Sequence, residues 1–420
     1  MRNPESLRRW LLVLLTGFGG VAPASEPTTL TVDDAIRLAL ENNLQLRRVR
    51  NEVDAAQSRL KGASVVIKDN PVILGMVGPR SSVAGRSLDF GVELLQPIEI
   101  AGQRGARVDS AEASQVAALQ RLAGTRVALT ARVREQFARA LAADQRLLIA
   151  REATTLAHQG RDAADERFRA GAAPLLEVNT ARVDLGRAVR QRAQMEQARA
   201  LAFAELGVFL GLPPAQELTL NGDLKIPPSA ELRTEALVEQ AFSRRAELKE
   251  AVAARESAQA EERLSIRESF PTARVGLTFA HEQETQATIV KGVLGFDLPV
   301  FNQNAGHRAL AAVRVRQAEL AVDAMRQQVG LQVVTAVARL RASQAAAEGY
   351  AGEVVKAMEE NMELVTESYR AGKIDFLELV VIRNQAIAAR REHIDVLEEL
   401  SIAAAELELA LGGPAGELEQ

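Results

Sequence analysis

The sequence predicts a mainly helical protein with a small β part, built from two similar halves. Residues 168–171 read FRAG and recur as YRAG at 369–372, which is 201 positions later. The pair Leu210-Gly211 recurs as Leu411-Gly412 at the same offset. A constant offset between independent landmarks indicates an internal duplication. Each half also contains long helix-favouring stretches and one pair of short strand-like segments. These features complete the basis for this fold class.

The N-terminus has the layout of an export signal. Arginines at positions 2, 8 and 9 precede an apolar run over residues 10–15, and the small-residue pattern Ala22-Pro23-Ala24 follows. A basic start, a short apolar core and small residues at a cleavage point are typical of a secretory signal peptide. We therefore predict a signal peptide over residues 1–24. The alternative is a buried helix of the same composition.

Composition narrows the classes of function. The chain has no cysteine and a formal net charge of −4, which argues against a strongly basic nucleic-acid-binding protein. Without disulfides, an exported chain must gain its stability from burial or from oligomerisation. No apolar run beyond residue 24 approaches the ~20 residues that a membrane-spanning helix needs. If this protein crosses a membrane, we expect it to do so with strands.

Each half is predicted to contain the same series of helices. The first repeat is predicted over residues 25–220 and the second over 221–413, with 414–420 as a short tail. In each repeat we expect a helix of moderate length, a strand pair, a long helix and a return helix. The expected helices cover 32–68, 105–171 and a return to Leu210 in the first repeat, and 232–269, 306–372 and a return to Leu411 in the second.

The lengths of these helices constrain the architecture. A helix of roughly 65 residues spans ~100 Å, which is longer than a compact domain of ordinary size. Long antiparallel helices are therefore expected, with two shorter helices stacked end to end beside each long one. A soluble coiled-coil scaffold would explain the helices alone.

Four segments are predicted to form strands, in pairs at about 72–96 and 272–299. Three of them alternate apolar and polar residues, as strands of a membrane barrel do; the weakest candidate, residues 72–78, is nearly all apolar or glycine. Four strands cannot close a barrel, and open edges are costly in a bilayer, so several copies would have to share one barrel. Two ordinary hairpins of a soluble β domain are the alternative. The polar side of the strands, which would face a lumen, carries the charged candidates Asp89, Glu93, Lys291 and Asp297.

The combination of signal peptide, duplicated halves, long helices and two strand pairs resembles the TolC-like outer-membrane efflux proteins. The strand-to-helix turns at 96–104 (QPIEIAGQR) and 298–306 (LPVFNQNAG) are similar to those of the cobalt–zinc–cadmium (CzcC-like) heavy-metal branch. The resemblance implies a homotrimer with a shared twelve-strand β-barrel in the outer membrane and a long periplasmic α-barrel. It also implies a passive exit duct for heavy-metal cations.

The same resemblance implies the partners of the channel. These are a periplasmic adaptor (membrane fusion) protein, an inner-membrane RND-type proton-driven pump and the outer-membrane lipid. A multidrug or solvent efflux duct, or a type I secretion duct, is an alternative within the family. A soluble periplasmic coiled-coil scaffold or adaptor is an alternative from another class.

The resemblance also assigns roles to the two repeated helix–turn–helix segments. The residues that correspond to the family's adaptor-docking tip are Arg169, Ala170, Gly171, Arg370, Ala371 and Gly372. Just beyond these turns, Glu177, Glu378 and Asp375 are candidates for an acidic constriction at the periplasmic entrance. Drug exporters of the family often carry a second acidic residue where this chain has Val381, which puts a two-ring gate in doubt. Alternatively, the acidic residues only stabilise helix N-termini.

The sequence contains no recognisable catalytic arrangement. The four histidines are scattered, and no metal-ligand spacing, phosphate-binding glycine loop or nucleophile motif is present. Met358 and Met362 lie one helical turn apart. Packing in the core explains this spacing more simply than a pair of soft-metal ligands does. We expect no enzyme activity, no cofactor and no metal bound by this chain.

Overall fold

The computed structural model describes residues 28–83, 85–213, 216–224, 233–350 and 353–413. The predicted signal peptide and the tail 414–420 lie outside the described residues. The first repeat contains β1 (Thr28–Leu30), α1 (Val32–Asn42), α2 (Leu44–Ala63), β2 (Val72–Ser82), β3 (Gly85–Ile98), α3 (Gln103–Arg169), α4 (Leu175–Leu210) and β4 (Leu218–Leu220). The second contains α5 (Thr234–Arg244), α6 (Ala246–Arg267), β5 (Ala273–Glu282), β6 (Ala287–Phe296), α7 (Ala305–Tyr350), α8 (Glu353–Arg370) and α9 (Phe376–Leu411).

The long and return helices of the first repeat agree with the prediction. Helix α3 runs for 67 residues without a break, which corresponds to ~100 Å. Helices α4 and α9 are 36 residues each and end at the predicted leucines, where Gly211 and Gly412 adopt left-handed conformations. The second long stretch was predicted as one helix, whereas the structure has two elements there, α7 and α8, and residues 351–352 between them are not described.

The predicted single helices at 32–68 and 232–269 are wrong in detail, because each is divided into two. The first is interrupted at Asn43, whose φ of −59° and ψ of 125° are not helical. The Asn43 side chain accepts a hydrogen bond from the Leu46 amide at 3.1 Å and donates one to the Phe209 carbonyl at 3.0 Å. The second is interrupted at Arg245, which donates to the Leu409 carbonyl at 3.0 Å. The predicted start at residue 232 lies outside the described residues.

In the first repeat, helices α2 and α4 lie end to end beside the long helix α3, as predicted. The N-terminus of α2 meets the C-terminus of α4, and Leu46, Leu206 and Leu210 are fully buried between them and α3. Helix α6 packs against both α3 and α7, and α9 does the same, so that the two repeats share one helical body.

The four main strands form one antiparallel sheet in the order β2-β3-β5-β6. Residues 78–82 pair with 85–89, and residues 281–282 with 287–288, so both hairpins are paired up to their loops. Proline has no amide donor for a strand ladder, yet Pro97 is paired with Arg274 and β3 continues to Ile98. A parallel pair of β1 with β4 was not predicted.

None of the described helices is both long enough and apolar enough to cross a membrane.

Candidate functional site at the helical tips

The two helix–turn–helix segments lie together at the end of the molecule farthest from the sheet. Each turn has the same backbone: Gly171 has a φ of 73° and Gly372 one of 70°. In both turns an amide of the loop reaches back to the preceding helix, with Ala172 N bonded to Arg167 O at 2.8 Å and Lys373 N to Ser368 O at 2.9 Å. Glycine readily adopts this left-handed backbone conformation, which closes the helix C-terminus.

The return helices begin differently in the two repeats. Asp375 is the N-cap of α9, and its carboxylate accepts a hydrogen bond from the Glu378 amide at 2.8 Å. Pro174 occupies the matching position before α4 and has no side chain that could cap the helix. The capping role predicted for Asp375 is therefore present, whereas Glu177 has no such neighbour in its own turn.

Glu177 is held by residues of other helices. Its carboxylate accepts a hydrogen bond from the Tyr369 hydroxyl at 2.8 Å and lies 3.6 Å from the Arg167 guanidinium. The Glu177 side chain is only 10% exposed. The hydrogen bond joins the last turn of α8 to the first turn of α4, and so links the two repeats at the tip. We call the trio Arg167, Glu177 and Tyr369 the tip latch.

The ring of Tyr369 is buried in the tip latch. The guanidinium of Arg167 lies 5.0 Å from the ring centroid, in the arrangement of a cation–π contact. Burial, together with the hydrogen bond to Glu177 and its negative charge, raises the pKa of the Tyr369 hydroxyl to about 12. The hydroxyl is therefore protonated, and able to donate, throughout the physiological range.

An aromatic contact and a close approach of α3 to α9 lie beside the tip latch. The rings of Tyr369 and Phe376 are 5.8 Å apart in an edge-to-face arrangement. Gly160 of α3 faces Phe376, and a Cβ at this position would lie 3.2 Å from the ring. Ala164, Val365 and Leu379 complete the apolar cluster around these rings.

A buried ion pair lies further along the same helices and was missed by the sequence analysis. Arg383 of α9 bonds to Asp184 of α4, and their side chains are 5% and 9% exposed. Arg383 follows Phe376, Leu379 and Val380 along the apolar stripe of α9. A charged residue on an apolar stripe indicates a buried partner, because an unpaired buried charge is strongly unfavourable, and this signal was available in the sequence.

The remaining tip candidates lie on the surface. Glu378, unlike Glu177, is exposed, and so are Ala170, Gly171, Ala371 and Gly372. Arg169 is exposed and forms an ion pair with Asp165 of its own helix at 2.8 Å. The side chain of Arg370 lies outside the described part of the structure. The structure thus brings Glu177 into a cluster and leaves Glu378 free to face solvent.

The strand candidates share one face of the sheet. Strand pairing places Asp89, Glu93 and Lys291 on the same side, since Glu93 is opposite Thr278 and Thr278 is opposite Lys291. Asp297 follows β6 and pairs with Arg274 at 2.9 Å. The opposite face is apolar and exposed, and carries Ile73, Val77, Phe90, Val92, Leu94, Val275, Leu277, Phe279, Val290, Leu294 and Phe296. That the charged face lines a lumen stays a prediction.

Near the hairpin loops, charged side chains join the strands of the sheet. Arg80 donates to Asp89 at 2.7 Å and to Glu282 at 2.6 Å, and thereby joins the two hairpins. Asp89 therefore has an ion-pair partner within the chain, which the sequence analysis did not predict. Within the described residues, no group of three or more His, Cys, Asp or Glu side chains is arranged to hold a metal ion.

Comparisons with known proteins cover nearly the whole described chain. A family model described as outer membrane efflux protein matches residues 35–212 and 237–413. The cobalt-zinc-cadmium resistance protein CzcC of Cupriavidus metallidurans is 26% identical over 404 residues, which are 93% of this chain and 92% of that protein. Protein CyaE of Bordetella pertussis is 29% identical over 357 residues, which are 82% of this chain and 73% of that protein. A solved structure of CusC has a TM-score of 0.74 at 18% identity and covers 91% of this chain and 92% of its own.

Proposed function

Because the chain belongs to the outer membrane efflux protein family, we propose that it is the outer-membrane exit duct of a tripartite system that exports heavy-metal cations. The observation that carries the metal substrate is the similarity to CzcC, which extends over almost the full length of both chains. Family membership also argues against the soluble scaffold considered above. The proposed partners are a periplasmic adaptor protein and an RND-type proton-driven pump in the inner membrane.

The sheet supports a trimeric assembly. Strands β2 and β6 are edge strands whose outer sides have no partner within the described chain. One face of the sheet is apolar and the other carries the charged residues, which suits a wall between lipid and water. Three copies, each pairing its β6 with the β2 of the next, close a barrel of twelve strands, with Asp89, Glu93, Lys291 and Asp297 towards the lumen.

The tip supports a closed periplasmic entrance. In the proposed mechanism, the tip latch holds α8 against α4 in the resting channel, and docking of the adaptor on the exposed turns breaks the Tyr369–Glu177 hydrogen bond. A cleft of about 200 Å³ between α3, α8 and α9 beside Tyr369 gives α8 room to move. Glu378, with Asp375 at the start of the same helix, would then supply the acidic ring that cations meet at the entrance.

The alternative within the family is a duct for drugs, solvents or secreted proteins. The 29% identity of this chain to CyaE means that similarity at this level is not confined to a protein named for metal resistance. The sequence of the channel need not decide the substrate, because in the proposed system the pump supplies selectivity.

Deletion of the gene tests the substrate. We expect reduced tolerance of cobalt, zinc or cadmium, no change with a panel of drugs, and recovery on complementation. Unchanged metal tolerance with increased drug sensitivity would contradict the proposal and favour the alternative. The trimer is tested separately, by the mass of the detergent-extracted protein and by conductance in planar bilayers; a monomer without conductance would refute the assembly.

A further inference from the structure

The two strand-to-helix turns have corresponding backbones and opposite side-chain character. Gly102 before α3 and Asn304 before α7 both have positive φ, 78° and 57°. Counted from these residues, Glu99 of the first turn corresponds to Phe301 of the second. Glu99 pairs with Arg107 at 2.5 Å and both side chains are 16% exposed. Phe301 is 101% exposed, so the second turn presents an aromatic ring where the first has a half-buried ion pair.

The exposed ring is part of a short apolar segment that ends at an anchored residue. Leu298 and Val300 are 73% and 67% exposed. The turn that carries them is anchored at Asn304, whose side-chain amide donates to the Ser265 carbonyl at 3.0 Å. Water-exposed apolar side chains in a fixed turn are unfavourable, and they therefore point to a partner that covers them.

The apolar segment continues the apolar face of the sheet. Leu294 and Phe296 of β6 lie on that face and are 67% and 50% exposed. Leu298 follows them directly, at the end of the strand nearest the helices. If the apolar face is in contact with lipid, as the proposed function requires, then the 298–301 segment lies at the level where the hydrocarbon ends. Aromatic residues are favoured at this level of a membrane, and exposed Arg308 one helical turn beyond Asn304 suits lipid phosphates.

A second copy of the chain is the rival occupant, and the corresponding region of the chain argues against it. Strands β3 and β5 are fully paired down to Ile98 and Ala273, as β6 and the β2 of a neighbour would be. Even so, Ile98, Ile100 and Phe270 beside this pair are 41%, 56% and 47% exposed. Ile98 corresponds to Val300 and stays exposed beside a fully paired strand, so strand pairing with a neighbour does not by itself cover the second turn.

We infer that the turn Leu298, Val300 and Phe301 inserts into the headgroup–acyl boundary of the inner leaflet and anchors the channel at a fixed depth. This inference rests on the proposed function, because it needs the apolar strand face to be in lipid. In the first repeat the ion pair of Glu99 with Arg107 occupies the place that matches Phe301.

The test uses tryptophan as a reporter in the full-length protein. The only tryptophan in the sequence is Trp10, inside the predicted signal peptide, so the unsubstituted protein serves as the blank. The Phe301→Trp variant is reconstituted in phosphatidylcholine vesicles with bromine at different depths in the acyl chains. We expect loss of emission with lipids brominated near the headgroup, and less loss with lipids brominated near the chain end.

Two control variants separate the possible failures. Leu277→Trp, on the apolar strand face, should be quenched most by deep bromines, and Leu331→Trp, an exposed residue of α7 far from the sheet, should not be quenched. Quenching at position 277 without quenching at position 301 overturns the anchor and leaves the proposed membrane channel standing. A blue-shifted but unquenched emission from the Phe301→Trp variant also overturns the anchor, and would assign the turn to a contact with a second copy. Absence of quenching at both positions overturns the proposed membrane insertion together with the anchor.

Discussion

The two tips of the duplicated chain share a backbone and differ in what their side chains bind. At position 369 the second repeat has a tyrosine that is 6% exposed and bonded to Glu177. At the corresponding position the first repeat has Phe168, which is 42% exposed and has no hydroxyl. Likewise Glu177 is held in the tip latch, whereas Glu378 is exposed. The two turns are similar, and the Tyr369 hydroxyl makes one of them a link between the predicted repeats.

This difference separates two roles that the sequence pattern assigned to both glutamates. Glu177 contributes to the packing of the resting tip, because its partners come from α3 and α8. The Glu378 carboxylate contributes charge at the surface. The Glu378 backbone amide is the group that donates to the capping residue Asp375. Substitutions at the two positions should therefore have different effects on stability and on conductance.

The largest effect is expected for Arg383→Met, which leaves Asp184 buried without a partner. Removing one member of a buried pair costs about 3–5 kcal/mol of unfolding free energy. Thermal unfolding of the detergent-extracted protein, followed by helical circular dichroism, measures it. Arg390→Met is the matched control on the same helix, because its pair with Glu152 is 34% and 50% exposed and such pairs are worth about 0–1 kcal/mol. Equal effects of the two changes would contradict the buried-pair interpretation.

Tyr369→Phe gives the second tip the residue that the first tip has at the corresponding position, Phe168. It removes a hydrogen bond to a charged group, a loss of about 1.5–3 kcal/mol, and we expect higher conductance of the isolated channel because the tip is held less firmly. Planar-bilayer recording measures the effect. Phe168→Tyr, which adds a hydroxyl to the exposed ring, should leave conductance unchanged. Resting conductance in Tyr369→Phe equal to that of the wild-type channel would show that the hydrogen bond does not hold the entrance closed.

The tip latch should also fail at high pH. Because the pKa of Tyr369 is raised from 10 to about 12 in the folded protein, the unfolded chain loses this proton first as pH rises. Its contribution to stability is therefore complete below pH 10 and is lost as pH rises through about 12. Thermal unfolding of wild type and Tyr369→Phe at matched pH values isolates this contribution from other groups. A difference between the two proteins that does not shrink across this window would contradict the assignment.

Glu378→Ala should have the smallest effect on stability, about 0.3–1 kcal/mol from the helix dipole. The backbone amide that Asp375 caps is kept, so helix α9 should begin normally. If Glu378 narrows the entrance, conductance should rise and cation preference should fall. Asp375→Ala is the contrasting change, since it removes the cap and should cost about 1 kcal/mol. Unchanged conductance with a clear loss of stability in Glu378→Ala would favour a purely structural role.

The helices could be predicted well from the sequence where local signals suffice. Glycine after a long proline-free stretch marks the ends at Leu210 and Leu411, and both agree with the structure. The interruptions at Asn43 and Arg245 could not be predicted, because each depends on carbonyls at the C-terminus of a helix more than 150 residues away in the chain. Tertiary contacts of this kind override local helix preference.

The candidate site was predictable in position but not in detail. The repeated turns located the tip, and the strand alternation placed the charged residues on one side of the sheet. The partners of side chains paired across the repeats, such as Tyr369 with Glu177 and Arg383 with Asp184, could not be predicted. These contacts depend on which helix faces which, and that is decided by packing of the whole body.

The pairing of β1 with β4 has a consequence for the order of folding. These strands lie on either side of the whole helical part of the first repeat, so their contact closes a very long loop. The entropy lost in such a closure rises with the logarithm of the loop length, and three paired residues cannot offset it alone. The ladder of Thr28–Leu30 with Leu218–Leu220 can therefore form only after α1 to α4 have packed. The N-terminal strand is thus among the last parts of the first repeat to be fixed, and protection of its amides marks a completed repeat.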